Sequence, residues 1–201
     1  MRTGIYGGTF DPVHFGHLTL AETAREFLAL DRVVFVPAGI PPHKRGRLIT
    51  SGTDRLEMLR LATASNPAFE VCDFELRSQE VSYTVKTLEY FHATYPGDTF
   101  FLLVGSETLA DIPNWFAPRE VCRLASIATA VRAGAGELRF APFESLVPPM
   151  RLEEFRRQVI PMPLMDIAST DLRELAACGK SVRYLTSDAV ARYLVERRLY
   201  T

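Results

Sequence analysis

Short apolar runs recur along the chain, separated by longer stretches that alternate between apolar and polar residues. The runs are rich in β-branched and aromatic side chains and are bounded by glycine, proline or polar residues, which is the pattern of buried strands. A final short run comes just before two prolines, which favours an edge strand. The predicted strands are residues 2–6, 32–37, 69–72, 99–104, 126–131 and 159–160.

Between these runs, apolar residues recur at helical spacing. Thr53 and Ser82 stand where helix N-caps are expected, and Gly179 stands just past a helix end. The predicted helices are residues 18–30, 53–65, 82–95, 118–124, 151–157, 169–178 and 187–198.

Alternating strands and helices predict βαβ units, hence an α/β, Rossmann-like, doubly wound parallel sheet. We expect one domain over residues 1–201, with a small helical C-terminal part from about residue 165. Residues 38–52 are longer than a plain connection, which suggests a functional loop. Residues 134–149, rich in glycine and proline, are expected to be loop with room for one short strand.

The composition mainly excludes several kinds of partner and location. The chain has 201 residues, of which 47% are hydrophobic and 23% charged, and its net charge is −1. That balance supports a folded core and gives no basic field for nucleic acid or an anionic membrane. Apolar runs such as 100–104 are too short to span a bilayer, and no signal peptide is visible. We therefore expect a cytoplasmic protein with a small-molecule partner.

The three cysteines, Cys72, Cys122 and Cys178, are far apart and form no C-x-x-C. This spacing argues against a zinc site and a disulfide framework. Each is expected to be an ordinary, partly buried thiol. No metal ligand is predicted within the protein.

The strongest candidate for chemistry lies at residues 7–17. Gly7 and Gly8 end the first predicted strand, and His14 and His17 follow three residues apart, before a helix. Strand, glycine turn and helix aim backbone N–H groups and a helix N-terminus at an anion. The spacing places both histidines on one side of the first helical turn. This pattern predicts a nucleotide-phosphate site.

Two common nucleotide signatures do not fit. The glycines Gly4, Gly7 and Gly8 have the wrong spacing for G-x-G-x-x-G. Gly179-Lys180-Ser181 imitates the end of a Walker A motif, but Glu174 occupies the position of its first glycine. Gly179 is better interpreted as a helix end.

Thr9-Phe10-Asp11-Pro12-Val13-His14-Phe15-Gly16-His17 resembles the (T/S)-F-D-P-x-H-x-G-H signature of the nucleotidyltransferase superfamily. Residues 167–173, Ile-Ala-Ser-Thr-Asp-Leu-Arg, resemble its I-S-S-T-x-x-R signature, with Ala168 in place of serine. Ser169 is placed to cap the following helix, and Arg173 one turn later can bind phosphate oxygens.

Four further segments point to one family within this superfamily. The resemblance covers essentially the whole chain. The four segments are similar to stretches of bacterial nicotinate-nucleotide adenylyltransferases: Pro37–Lys44, Ser82-Tyr83-Thr84, Gly105-Ser106-Glu107 with Trp115, and Ala130-Val131-Arg132. The resemblance implies an enzyme of NAD synthesis that transfers AMP from ATP to nicotinate mononucleotide and releases pyrophosphate. It also implies Mg²⁺ bound with ATP. The sequence leaves the oligomeric state open, a homo-oligomer included.

The resemblance assigns roles residue by residue. His14, His17 and Arg173 are the expected catalytic residues. The expected ATP and phosphate contacts are Gly7, Gly8, Thr9, Phe10, Lys44, Ser169 and Thr170. The expected acceptor contacts are Tyr83, Thr84, Gly105, Glu107, Trp115 and Arg132. Tyr83 and Thr84 open a helix whose N–H groups suit the nicotinate carboxylate, and Trp115 is placed to stack on the pyridine ring or to be a rim aromatic.

Some residues depart from the family pattern. Glu107 stands where aspartate is usual, Lys86 where an acid is common, and residues 78–81 replace a usual Gly/Pro turn. Two alternatives stay open, and Glu107 and the altered turn motivate the second. One is an adenylyltransferase for another phosphate acceptor, such as nicotinamide mononucleotide or phosphopantetheine. The other is a nucleotide-binding regulator without turnover.

We also expect the strands at 2–6 and 99–104 to be neighbours, because Gly7-Gly8 and Gly105 follow them directly. In doubly wound sheets, ligands bind at the point where the connections that follow two adjacent strands pass to opposite faces of the sheet. The site is therefore expected across the carboxyl ends of these two strands.

Overall fold

One parallel sheet organises the fold. The computed structural model describes residues 1–40, 49–78, 80–132 and 138–201, with Arg132 described by its backbone alone. Within them the sheet has six strands, in the order β3-β2-β1-β4-β5-β6. The strands are β1 (Arg2–Gly8), β2 (Arg32–Pro37), β3 (Phe69–Val71), β4 (Thr99–Gly105), β5 (Ser126–Arg132) and β6 (Val159–Met162).

Eight α-helices are present in the described part of the chain. A 3-10 helix, Ile112–Asn114, follows the fourth, and another, Ala141–Ser145, precedes the sixth. The helices are α1 (Phe15–Phe27), α2 (Gly52–Thr63), α3 (Thr84–Thr94), α4 (Ser106–Asp111), α5 (Pro118–Leu124), α6 (Pro149–Arg157), α7 (Ser169–Ala177) and α8 (Asp188–Glu196). The doubly wound α/β class predicted from the pattern is confirmed.

The strand order places the switch point of the sheet between β1 and β4. These two strands pair in parallel, as predicted, and Ile5 lies opposite Leu102. From this pair the chain builds outward through β2 and β3 on one side and β5 and β6 on the other. The carboxyl ends of β1 and β4, at Gly8 and Gly105, therefore open onto a shared crevice.

Side chains alternate along the strands and feed two apolar layers, one on each face of the sheet. Tyr6, Phe35 and Leu103 pack with α1, α2, α7 and α8. Ile5 and Leu102 pack with α3, α5 and α6. The two faces explain why the central strands read as continuous apolar runs rather than alternating ones.

Several predicted boundaries differ from the observed ones. α1 begins at Phe15 rather than at residue 18. α2 is capped by Ser51 and not by Thr53, because the Ser51 hydroxyl accepts from Asp54 N at 3.0 Å and donates to its carboxylate at 2.6 Å. β6 runs through Pro161, which an edge strand tolerates. Residues 138–149 contain a 3-10 helix and no strand. The predicted end of α7 is confirmed, since Gly179 adopts φ +66°.

Candidate active site

The turn between β1 and α1 is held in place from outside. Its residue Phe10 has φ +49°, and the Asp11–Pro12 peptide is cis. Four of its carbonyls accept hydrogen bonds from side chains of three other segments. The donors are Arg55 Nη1 to Thr9 O (2.9 Å), Arg173 Nη1 to Asp11 O (2.8 Å), Ser169 Oγ to Pro12 O (2.9 Å) and Thr186 Oγ1 to Val13 O (2.8 Å).

These bonds give the turn an orientation. Its carbonyl oxygens face donors from α2, α7 and the segment before α8, so their negative ends are already satisfied by the fold. Gly7, Gly8 and Thr9 line a cavity. A strand, glycine turn and helix start can offer backbone N–H groups to an anion.

His14 and His17 are stacked against each other at the start of α1. Their ring centroids are 3.8 Å apart, with an interplanar angle of 30°. His14 is the N-cap residue, and its backbone N–H donates to Nδ1 of His17 at 3.2 Å. Phe10 meets the His17 ring edge to face at 5.0 Å. The predicted placement of both histidines on one side of the first turn is confirmed.

A cavity of about 790 Å³ opens across the carboxyl ends of β1 and β4. It has the size expected of a ligand site. It brings together segments that are far apart in the sequence. The predicted site residues that line it are Gly7, Gly8, Thr9, Phe10, His14, His17, Tyr83, Thr84, Gly105, Glu107, Trp115 and Ser169.

Two predicted site residues that the structure describes lie outside this cavity. Thr170 and Arg173 line a second, shallower cleft together with Tyr200. Lys44 lies outside the described residues, and so does the side chain of Arg132, whose backbone ends β5.

The family model described as Cytidylyltransferase-like matches residues 5–175, well over half of the chain. A probable nicotinate-nucleotide adenylyltransferase of Desulfitobacterium hafniense (strain DSM 10664 / DCB-2) is 41% identical over 208 residues, covering 99% of this chain and 95% of the relative. Another from Roseiflexus castenholzii is 42% identical over 201 residues, covering 99% and 98%.

The chain belongs to the nicotinate-nucleotide adenylyltransferase family. Solved structures agree on the fold. Plasmodium falciparum nicotinic acid mononucleotide adenylyltransferase, complexed with NaAD, superposes with a TM-score of 0.74 over 99% of this chain and 97% of the other. The two sequences are 17% identical, so this likeness concerns the fold alone.

The start of α3 also lines the cavity, through Tyr83, Thr84 and Thr87. The N-cap of α3 is Tyr83 and not Ser82 as predicted. The Ser82 hydroxyl instead accepts from the Gly39 N–H at 2.9 Å, and Ser82 N donates to Ile40 O at 3.0 Å. Ser82 therefore ties the loop after β2 to α3, and no described side chain caps the helix end that faces the cavity.

Aromatic residues form the rim beside α3. Trp115 lines the cavity and also packs against the adjoining apolar layer, so both interpretations of it, as stacking platform and as rim aromatic, fit its position. Phe116, which sequence reasoning missed, is 58% exposed and lies 4.7 Å from the Tyr83 ring between centroids. An exposed aromatic beside a cavity widens the surface available for a planar ring.

Glu75 is a second residue that sequence reasoning missed. Glu75 lines the cavity, and its carboxylate accepts from the Thr87 hydroxyl at 2.6 Å. Burial raises the pKa of Glu75, while hydrogen bonds from Thr87, Ser82 and the Gly39 backbone oppose that rise. A Cβ on Gly39 would lie 2.3 Å from the Glu75 carbonyl oxygen, so the two segments touch closely. No motif marks Glu75, because its importance comes from contacts across the fold.

Ser169 contacts the signature turn rather than its own helix. The predicted cap of α7 is wrong, since Ala168 is the N-cap residue and Ser169 is already helical. Its hydroxyl donates to Pro12 O instead. Arg173 likewise divides its guanidinium between Asp11 O and Thr170 Oγ1, the latter at 3.2 Å. Both residues of the second signature therefore hold the first signature in place.

Arg55 is a buried cation behind the same turn. It is 2% exposed and donates to the carbonyls of Thr50 and Thr9. Burial lowers the pKa of Arg55, and the nearby Asp11 carboxylate counteracts this shift. The sequence offered no signal for it, because an arginine on a helix is usually a surface residue.

Among the described residues, no group of three or more His, Cys, Asp or Glu side chains has metal-binding geometry. The cysteines form no disulfide; burial raises the pKa of Cys122 to about 11, and Cys178 is exposed rather than partly buried as predicted. Within the ranges that the structure describes, no helix is long and apolar enough to cross a membrane.

Proposed function

We propose that this protein transfers the AMP moiety of ATP to nicotinate mononucleotide, giving nicotinate adenine dinucleotide and pyrophosphate. One observation carries the proposal: a single cavity joins the histidine turn of the first signature to the uncapped start of α3. A phosphate-binding half and an acceptor half are thus within reach of one pair of bound substrates.

The acceptor supplies its own nucleophile. A phosphate oxygen of nicotinate mononucleotide attacks the α-phosphorus of ATP, the bond from that phosphorus to the bridging oxygen breaks, and pyrophosphate leaves. No protein nucleophile is required. The protein's contribution is alignment of the two substrates and stabilisation of charge at the transferred phosphorus.

His14 and His17 are the proposed donors at that phosphorus. The bond from His14 N to Nδ1 of His17 means that this nitrogen is an acceptor, so neutral His17 carries its proton on Nε2. An Nε2–H group donates to a phosphate oxygen as negative charge builds in the transition state. Gly7, Gly8, Thr9 and Phe10 supply the wall behind the phosphates.

The second signature and the loop after β2 complete the ATP half. We propose that Ser169, which lines the cavity, and Thr170 and Arg173, which line the neighbouring cleft, hold the β- and γ-phosphates of the leaving group. Arg173 also donates to Asp11 O, so the same side chain holds the signature turn. Lys44, from the loop, is proposed to neutralise the same phosphates.

Mg²⁺ is proposed to arrive with ATP. The donor set fits an ion carried by the nucleotide, because the described residues form no cluster of three potential metal ligands. Such an ion is held by phosphate oxygens and water, with few or no protein ligands. When bound, it neutralises charge on the leaving pyrophosphate.

The acceptor half suits an acid. The backbone N–H groups at Tyr83 and Thr84 lie at the positive end of α3, where a carboxylate is favoured over an uncharged amide. Trp115 is proposed to stack on the pyridine ring. Gly105, Glu107 and Arg132 are proposed to contact the ribose and phosphate, as they end β4, begin α4 and end β5.

Purified protein with Mg-ATP and a panel of acceptors tests the proposal. The panel contains nicotinate mononucleotide, nicotinamide mononucleotide and phosphopantetheine, and the readout is pyrophosphate release. We expect the acid to react fastest. A faster rate with the amide overturns the substrate assignment. ATP binding without release for any acceptor favours the regulator instead.

Three expectations stay predictions. They are a single domain over residues 1–201, a cytoplasmic location, and an oligomeric state that a sedimentation measurement would decide.

A further inference from the structure

Asp11 connects three parts of the fold through one residue. It is 5% exposed, and its carboxylate accepts from the Tyr200 hydroxyl at 2.6 Å and from Thr50 N at 3.3 Å. Its backbone carbonyl accepts from Arg173 at 2.8 Å. A buried carboxylate is stable only when such donors satisfy it. The position of Asp11 therefore depends on the residues that donate to it.

Tyr200 reaches Asp11 from the segment after α8. The chain turns back there, with Arg198 at φ +49° and Tyr200 at φ +67°, and Leu199 N donates to Leu194 O at 3.0 Å. Leu199 and Tyr200 both pack against the apolar layer beneath the turn. Burial and the Asp11 carboxylate raise the pKa of the Tyr200 hydroxyl, which therefore remains a hydrogen-bond donor.

The contact lies directly behind the proposed phosphate half. Tyr200 and Arg173 line the same shallow cleft, and both bind Asp11, one at the carboxylate and one at the carbonyl. Asp11 lies between Phe10, which lines the cavity, and the cap residue His14. A shift of Asp11 would move the phosphate wall, the two histidines and Arg173 together.

We propose that Tyr200 is a positioning residue for the ATP half of the site, acting through Asp11 on the turn that presents His14 and His17 and on Arg173. This rests on the proposed function. Tyr200 touches no reacting atom in this scheme. Its hydroxyl sets the resting position of the turn, and loss of the hydroxyl is expected to affect ATP more than the acceptor.

The chain contains a matched contact for comparison. Tyr193, on α8, donates to the Asp54 carboxylate at 2.8 Å. This bond has the same chemistry and also joins the C-terminal part of the chain to the body of the fold, but Asp54 lies on α2 and not in the signature turn. Tyr200→Phe and Tyr193→Phe each remove one hydroxyl. Only Tyr200→Phe removes a hydrogen bond to the Asp11 carboxylate.

The experiment measures the dissociation constant of ATP by calorimetry, and kcat and KM for each substrate, in the wild type and both variants. Tyr200→Phe is expected to weaken ATP binding or lower kcat by about tenfold, the usual effect of losing a hydrogen bond to a charged group. KM for the acceptor is expected to stay within about twofold. Tyr193→Phe is expected to leave all kinetic constants within about twofold of the wild-type values, even if it lowers Tm as much as Tyr200→Phe does.

Three results would overturn the proposal. They are wild-type ATP affinity and kcat in Tyr200→Phe, an equal kinetic loss in Tyr193→Phe, or a loss confined to the acceptor KM. Asp11→Asn provides a second check, since combining it with Tyr200→Phe should give less than the sum of the single effects. If wild-type protein turns over no acceptor, the proposed function fails, while the ATP dissociation constants still decide the role of Tyr200.

Discussion

The Nδ1 atom of His17 accepts a hydrogen bond from the backbone N–H of His14, at 3.2 Å. This bond joins the two histidines of the signature and sets the tautomer of the second. It also requires that His14 be the N-cap of α1, where its own N–H points along the helix start rather than into a helical bond. Because this bond sets its tautomer, His17 is the histidine of the two whose role as a donor is easier to test.

His17→Ala should lower kcat for pyrophosphate release by about 10²-fold or more, because one preorganised donor to a developing charge is removed. Steady-state kinetics with nicotinate mononucleotide measure the effect. His92→Ala is the control, since His92 lies on α3 and contacts Leu124 O at 2.7 Å. Near-wild-type kcat in His17→Ala would remove this residue from the mechanism.

Gly105→Ala should weaken substrate binding without weakening the fold. Gly105 lines the cavity, and a Cβ there would meet no protein atom within 4 Å, so the added methyl group would occupy ligand space. We expect KM to rise by about tenfold, equivalent to roughly 1.4 kcal/mol of binding free energy.

The exposed turn residue Gly97 gives the matched variant, since Gly97→Ala also meets no atom within 4 Å and lies outside the cavity. Both variants should keep the wild-type Tm in thermal unfolding. An unchanged KM in Gly105→Ala would argue against close approach of substrate at this position.

Trp115→Ala should raise KM for nicotinate mononucleotide by about tenfold, because aromatic stacking contributes on the order of 1 kcal/mol beyond simple burial. Trp115→Phe should restore most of the affinity, and KM for ATP should stay near the wild-type value in both. Equal effects on both substrates would instead identify Trp115 as a rim residue that supports the fold.

Glu75→Gln should change the pH dependence of stability in a defined direction. Burial raises the pKa of Glu75 in the folded protein above its ordinary value of 4.5. Its contribution to stability is thus complete below that value and is lost as pH rises through the folded-state pKa. Glutamine does not ionise, so the Tm of the variant minus that of the wild type should increase with pH.

Thermal unfolding at a series of pH values between about 4 and 7 measures this difference. Thr87→Val is the companion variant, because it removes the 2.6 Å hydrogen bond to the carboxylate and leaves the acid in place. A difference that falls with pH would show that Glu75 is stabilised as the charged form.

The helix N-caps show what local sequence could not predict. Thr53, Ser82 and Ser169 all had the right chemistry for an N-cap, yet none caps its helix. Ser51 caps α2 instead, because its hydroxyl both accepts from the backbone N–H of Asp54 and donates to the Asp54 carboxylate. The hydroxyls of Ser82 and Ser169 are used across the fold, on Gly39 and Pro12. A hydroxyl bonds to the nearest suitable partner, and only the tertiary structure defines which partner is near.

The sequence by itself determined the strand and helix alternation, the parallel sheet, the adjacency of β1 and β4, and the family, because periodicity and contiguous motifs are local properties. The tertiary structure alone decided what holds the signature turn. Arg55, Thr186 and Tyr200 are 46, 173 and 189 positions away from the turn residues that they bind. It also decided that Arg173 lies behind the turn and that Glu75 lines the cavity. These arrangements depend on packing between distant elements, which no local pattern encodes.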